Sequence, residues 1–330
     1  MACNYLGQES RSMKVSVIIP THNRLWQLQA AYDSACRQTI KPNEIIIIDD
    51  GSTLAITHYL LNTRKSKVPT TIKRFNQPQG ACKARNYGIE NASHEIVMFL
   101  DDDDTWEPEK IARQLAIFDS NPEIGLVYSG RKIVSEKNRD RILYSIKPEA
   151  QGKLYPDILT RNLVGSTSSV AVKKSILLEV GGFDESLPAL QDYELWIRIA
   201  QETLIAHDNS CLVRYTVAEN THNQISGKPE KYISAGKIIQ EKYREVILLQ
   251  PLIKQRKFYA ALNFFVARYA KGNNLKLTLL WSLKSFIAYP NLKSLLLLIP
   301  LRGLYFLKRI QPNRKSKSYL NLYHSPQSTK

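Results

Sequence analysis

In the first hundred residues, short runs rich in isoleucine and valine alternate with amphipathic stretches, and the runs give way to polar clusters. VSVIIP (Val15 to Pro20) precedes a helix-like Leu25 to Cys36, and EIIIIDD (Glu44 to Asp50) precedes a helix-like stretch before Arg64. TIKRF (Thr71 to Phe75), a helix-like Gly80 to Asn91 and EIVMFL (Glu95 to Leu100) follow. Continuous β-branched runs mark strands buried on both faces, so helices must cover the sheet above and below. Right-handed crossovers then predict a doubly wound α/β core with a mostly parallel sheet. A hydrophobic share of 43% over 330 residues suits such a core, so disorder is not the default.

Ligands of such sheets sit at the carboxyl ends of the strands. Those ends read PTHNR, DDGS and DDDD. In FLDDDDTWEP (Phe99 to Pro108) four neighbouring carboxylates repel one another and need a compensating positive charge. A hard divalent cation held by one or two carboxylates and a substrate phosphate meets that need; a solvated acidic loop is the alternative. In Asp49-Asp50-Gly51-Ser52 an acid either accepts from a ribose or base, or caps the following helix.

Farther on, IGLVYSG (Ile124 to Gly130) and SSVAVKK (Ser168 to Lys174) predict strands separated by a less regular region. A helix-like pattern follows within Gly181 to Ala200, and from about Gly227 the chain is helical, amphipathic and basic. The formal charge is +16, and from Pro251 onward there are fifteen Lys or Arg and no Asp or Glu. Such a region serves nucleic acid, anionic lipid or solubility alone. SLLLLIPLRGLYFL (Ser294 to Leu307) is interrupted by Pro300, Arg302 and Gly303, and it falls short of the roughly 20 apolar residues of a membrane span. It predicts either an interfacial helix, with KRIQPNRKSK meeting headgroups, or a core helix with a solvated basic end. Cys3, Cys36, Cys82 and Cys211 are too scattered for a zinc site or disulfide framework. No secretion signal is visible in the N-terminal residues, which predicts a cytoplasmic protein, and the charge and apolar patterning of the C-terminal region predict peripheral docking on the inner face of the membrane.

The ordered set PTHNR, IIIIDDGS, GACKARNYGIENA, EIVMFLDDDDTWEPEKI, VGGFDESL and QDYELWIR resembles the family 2 glycosyltransferases, which have the nucleotide-diphospho-sugar transferase (GT-A) fold. The resemblance covers about Met13 to Ser226. It divides the chain into a leader (1–12), a transferase domain (13–226) and a helical basic region (227–330). It implies a metal-dependent, inverting transfer of one sugar from a nucleotide-diphospho-sugar, UDP-linked, to a hydroxyl of a glycan or lipid-linked acceptor in polysaccharide biosynthesis. Asp101 and Asp103 match the D-x-D element: Asp103 as the direct ligand of Mn2+ or Mg2+, Asp101 beside the ribose or sugar and sharing the metal. Asp104 would support the turn, and Asp102, at the variable position, would face solvent.

Asp50 matches the residue that reads the base, and Pro20, Thr21 and Asn23 match the first nucleotide loop. Arg85 matches a contact to base or phosphates, or else pairs with an acid of the DDDD turn. Asp192 matches the general base, with Gln191 in place of the commoner Glu; otherwise Asp192 caps its helix and Glu194 lies at the surface. His222 matches a loop position that completes the metal or diphosphate site. Trp106 and Trp196 are expected to pack rather than bind sugar, Gly181 to Asp184 to turn tightly ahead of Asp192, and Gly165 to Val170 to line the acceptor side. A processive synthase would carry a Q-x-x-R-W element and membrane spans, which are not found. The competing reading is a catalytically degenerate nucleotide-sugar binder, or a basic protein that binds membrane or nucleic acid. Acidic strand ends repel a polyanion, so nucleic acid is not expected as a partner.

Overall fold

The computed structural model describes residues 13–54, 56, 67–217, 228–271 and 274–298. The leader, most of the stretch expected as a helix before Arg64, His222, and the part of Ser294 to Leu307 beyond 298 lie outside the described residues.

The four expected strand runs form β1 (Val15–Thr21), β2 (Glu44–Asp49), β3 (Thr70–Arg74) and β4 (Ile96–Phe99). They pair in the order β3-β2-β1-β4, all parallel. Helices α1 (Leu25–Cys36) and α2 (Ala81–Asn91) connect them. The chain continues through β5 (Thr105–Trp106), α3 (Lys110–Ser120), β6 (Ile124–Ser135), β7 (Asn138–Ile146), β8 (Val170–Lys173), α4 (Lys174–Glu179), α5 (Gln191–Glu202) and β9 (Leu204–Val217). β8 lies antiparallel between β4 and β6, β9 runs parallel to β6, and β5 and β7 are antiparallel to β9 and β6. Six of the nine described strands therefore run in one direction.

Because side chains alternate across a strand, each strand feeds two cores. Ile18, Ile46, Ile48, Val97 and Phe99 join Tyr193, Trp196 and Ile197 of α5 on one face. Val17, Ile19, Ile45, Ile47 and Met98 join Leu28 of α1 and Leu115 of α3 on the other. Helices on both faces leave the carboxyl edge of the sheet as the open side.

Beyond the sheet lie α6 (Pro229–Lys242), α7 (Arg244–Leu248), α8 (Leu252–Ala270), α9 (Leu275–Ala288) and α10 (Leu292–Leu298). Tyr232, Ile239, Tyr243, Phe258 and Leu262 of this region belong to the same core as α5. No described helix is long and apolar enough to cross a membrane, and the described cysteines Cys36, Cys82 and Cys211 are free thiols.

Candidate active site

The ends of β1, β2 and β4 meet through their backbones. Asp50 N–H donates to Thr21 O at 2.8 Å, and Leu100 N–H donates to Ile18 O at 3.0 Å. Pro20 is buried within β1, opposite Ile48. Asn23 follows with φ of 55°, a left-handed conformation that asparagine tolerates better than most residues. Its amide oxygen accepts from Thr53 N–H at 2.7 Å, and its own N–H donates to Ser52 Oγ at 2.9 Å, so Asn23 ties the first loop to the second. Asp50 is buried, and its two oxygens accept from the N–H groups of Gln79 and Gly80 at 2.6 and 2.8 Å, at the start of α2. Gly51 has φ of 68°, and a Cβ there would lie 2.7 Å from the Gln77 carbonyl carbon. Only glycine lets the two loops come this close.

The acidic turn after β4 carries its own counter-charges. Arg24 Nη1 donates to Asp102 at 2.9 Å and to Asp103 at 2.8 Å, while Arg85 Nη2 donates to Asp101 at 2.6 Å. Asp102 also accepts from Thr21 Oγ1 at 2.7 Å and is only 5% exposed, which corrects the expectation that it faces solvent. The reason is steric and electrostatic: Thr21 and Arg24 draw this carboxylate under the turn. Asp101 accepts from Thr167 Oγ1 at 2.7 Å, and its N–H donates to Ser168 Oγ at 3.1 Å. Asp104 is buried and accepts from Thr216 N–H at 3.0 Å, which anchors the turn to β9.

Burial raises the Asp102 and Asp104 pKa values, and burial with the adjacent Asp102 charge pushes Asp103 up to about 7. Burial works against the Arg24 charge, but Asp102 and Asp103 outweigh it and hold the guanidinium protonated. Arg24 and Arg85 pair with Asp101, Asp102 and Asp103 but do not cancel the crowding of the acidic turn, as the raised values show. The Asp101 and Asp103 side chains are each about a quarter exposed. Their oxygens suit a hard divalent cation that takes its remaining ligands from water and phosphate. Among the described residues no group of three or more His, Cys, Asp or Glu is arranged to hold a metal, and a site completed by substrate needs none.

Asp192 lies in the first turn of α5, two residues after Leu190, whose φ is 58°. A leucine in the left-handed region is strained and persists because its surroundings over-determine it. The Asp192 carboxylate accepts from Tyr193 N–H at 2.7 Å, and burial raises its pKa, opposed in part by Arg131 and Arg85. The charge of Asp101 also reaches it, so the structure brings Asp192 into the electrostatic field of the acidic turn. Asn86 fixes this arrangement: its Nδ2 donates to Phe183 O at 2.8 Å and its Oδ1 accepts from Phe183 N–H at 2.8 Å. Gly182, with φ of 68°, passes so close that a Cβ would meet Asn86 Oδ1 at 2.6 Å.

Glu194 is fully buried, a correction to the surface position considered for it. It accepts from Arg198 at 2.7 Å, Lys242 at 2.8 Å and the Tyr243 hydroxyl at 3.0 Å, joining α5 to α6 and the start of α7. Trp106 and Trp196 are buried as expected, their indole N–H groups donating to Ser168 O and Gly165 O at 2.9 and 3.0 Å. The 165–170 segment, expected to line the acceptor side, holds Asp101 through Thr167 and Ser168. Sequence reasoning assigned no role to Arg24, Asn86 or Thr167. The first two stand inside the quoted motifs PTHNR and ARNYG, so proximity to an assigned residue was the available signal.

Residues 16–179 match the family described as Glycosyl transferase family 2. A protein of Haemophilus influenzae named an uncharacterized glycosyltransferase is 32% identical over 57% of this chain, and the match spans 62% of that protein's length. One of Rickettsia prowazekii, similarly named, is 30% identical over 69% of this chain and 71% of its own. Among solved structures, S. aureus TarS 1-349 in complex with UDP-GlcNAc matches with a TM-score of 0.54 at 16% identity, covering 92% of this chain and 93% of that one. The mannosyltransferase PcManGT from Pyrobaculum calidifontis, in complex with GDP-Man and Mn2+, matches with a TM-score of 0.54 at 17% identity over 91% of this chain and 81% of its own. At such identities the likeness establishes the fold.

Proposed function

The chain belongs to glycosyl transferase family 2, and from that premise we propose that it transfers one sugar, with inversion, from a nucleotide-diphospho-sugar to an acceptor hydroxyl. The observation that carries this reading is the half-open pair Asp101 and Asp103 at the carboxyl edge of the parallel strands, with Asp192 in the same field. The ligands named for the TarS and PcManGT structures support a nucleotide-diphospho-sugar donor. UDP is our first choice of nucleotide.

Asp103, with Asp101, would hold Mn2+ or Mg2+, which when bound offsets the negative charge that develops on the departing diphosphate. Asp50, Pro20, Thr21 and Asn23 form the edge that receives the nucleoside, and Arg85, held on Asp101, lies toward its base or phosphates. Asp192 takes the proton of the acceptor hydroxyl as that oxygen attacks the anomeric carbon. A carboxylate whose pKa is raised by burial is a stronger base than one in water. Single displacement requires no bond between sugar and protein. His222 would supply a further metal or diphosphate contact.

The acceptor is a glycan or lipid-linked glycan of polysaccharide biosynthesis, and residues 227–330 bring the transferase region, 13–226, to the inner face of the cytoplasmic membrane. Titration calorimetry with UDP, GDP and dTDP, with and without Mn2+, tests the donor reading. We expect metal-dependent binding of one diphosphate, weakened in Asp103→Asn. Asp192→Asn should bind that diphosphate normally and fail to transfer. Equal donor affinity in wild type and Asp103→Asn would remove the metal role, and substantial transfer by Asp192→Asn would remove the base.

A further inference from the structure

A helix packed on a water-soluble core turns its aliphatic stripe inward and its polar residues outward. Helix α9 departs from that pattern, although Trp281 still packs against the core. Its inward side carries Thr278, Ser282 and Ser285, all buried. Ser285 Oγ donates to Ala260 O of α8 at 2.7 Å, and Ser294 Oγ of α10 donates to Ser285 Oγ at 2.8 Å. Small hydroxyl residues at a helix contact allow close approach, as they do between helices in lipid. Its outward side carries Leu275, Leu279, Leu280, Leu283 and Ile287, which are between 42% and 72% exposed. Their spacing places them on one continuous stripe, and Leu292 and Leu295 of α10 are exposed as well. Of the seventeen exposed large hydrophobic side chains among the described residues, eleven lie between Leu248 and Leu295, so the apolar exposure is a local property of this region.

We propose that the outer face of α9, with Leu292 and Leu295, seats in the surface of an anionic lipid bilayer. Lys276 and Lys284 stand on the same exposed face, Lys284 over the Trp281 ring at 4.3 Å, and from Pro251 onward the sequence has no carboxylate side chain to oppose lipid phosphates. A second copy of the chain is the poorer occupant, because a twofold contact would face two surfaces with this same excess of cations. The placement also suits the candidate site. α9 packs on α8, and the ring of Phe265 in α8 lies 5.6 Å from that of Tyr193, next to Asp192. The inference deepens the membrane-surface reading given above and does not depend on sugar transfer.

The test is cosedimentation of the full chain with phosphatidylcholine vesicles, with and without phosphatidylglycerol, beside light scattering in solution. Wild type should bind the anionic vesicles and remain monomeric. Leu279→Glu/Leu283→Glu should weaken binding by more than about tenfold while the melting temperature and nucleotide-diphosphate affinity stay unchanged. Leu279→Ser/Leu283→Ser gives the same reading should the glutamates unfold the helix. Absence of binding by wild type, undiminished binding by the folded variant, or a solution dimer that these substitutions dissolve would overturn the proposal. Diphosphate binding, followed in parallel, reports on the donor reading separately.

Discussion

Lys110 offers a measurable sign reversal. The residue begins α3, is wholly buried, donates to Gln114 Oε1 at 2.7 Å and lies 4.4 Å from the centre of the Trp106 ring. Burial pulls its pKa from 10.5 down to about 7, against the opposing charge of Asp208. A displacement of that size corresponds to about 5 kcal/mol of lost stability while the amine is protonated in both states. Lys110→Met removes that penalty but leaves Gln114 Oε1 without its donor, at a cost of about 1–3 kcal/mol. Below pH 7 the variant should therefore be more stable by about 2–4 kcal/mol. Between the folded and unfolded pKa values the unfolded chain binds the extra proton, so wild-type stability rises with pH. Near the unfolded pKa the penalty is gone and the variant should be less stable by the cost of the lost hydrogen bond. Urea unfolding of both proteins across this range reads the difference. A gap that does not change with pH, or a variant less stable at about pH 6.5, would refute the reasoning. The outcome bears on the site because Gln114 also donates to Ser169 O at 2.9 Å, under the turn that holds Asp101.

Asn86→Ala should destabilise by about 1–3 kcal/mol through the loss of its bonds to Phe183, and should lower transfer far more than diphosphate affinity; thermal melts and calorimetry check the two parts. Glu194→Gln leaves Arg198 and Lys242 without their shared anion, and because both cations keep some solvent contact the expected cost is about 2–4 kcal/mol in a urea titration. The raised Asp192 pKa predicts that the transfer rate climbs with pH through an apparent value above that of an ordinary carboxylate, a rise that a pH–rate profile detects and Asp192→Asn abolishes.

The parallel half of the sheet was legible because both faces of β1, β2 and β4 are buried, leaving uninterrupted apolar runs too short for a buried helix and too apolar for a loop. β7 was not, since NRDRILYSI is largely exposed and carries no such run, and β9 mixes His207, Asp208 and Asn209 among its apolar residues. The strand ends pointed to the right region of the molecule. Four identical side chains in a row, however, contain nothing that says which faces inward. Thr21 and Arg24 decide that for Asp102 from another part of the chain. The alternative that set Glu194 at the surface fails for a related reason: a charged residue in the first turn of a helix is normally solvated, and the partners that bury it, Lys242 and Tyr243, come from beyond the sheet.

Arg85 and Asn86 are neighbours on α2, yet one grips Asp101 and the other grips the turn that leads to Asp192. A single rigid helix thereby acts as a ruler between the two acids. The long stretch of chain separating them in sequence can gain or lose residues in loops outside 165–170, which also holds Asp101, without changing the gap that a substrate must fill. Attempts to redesign substrate choice have freedom in those loops and none in α2.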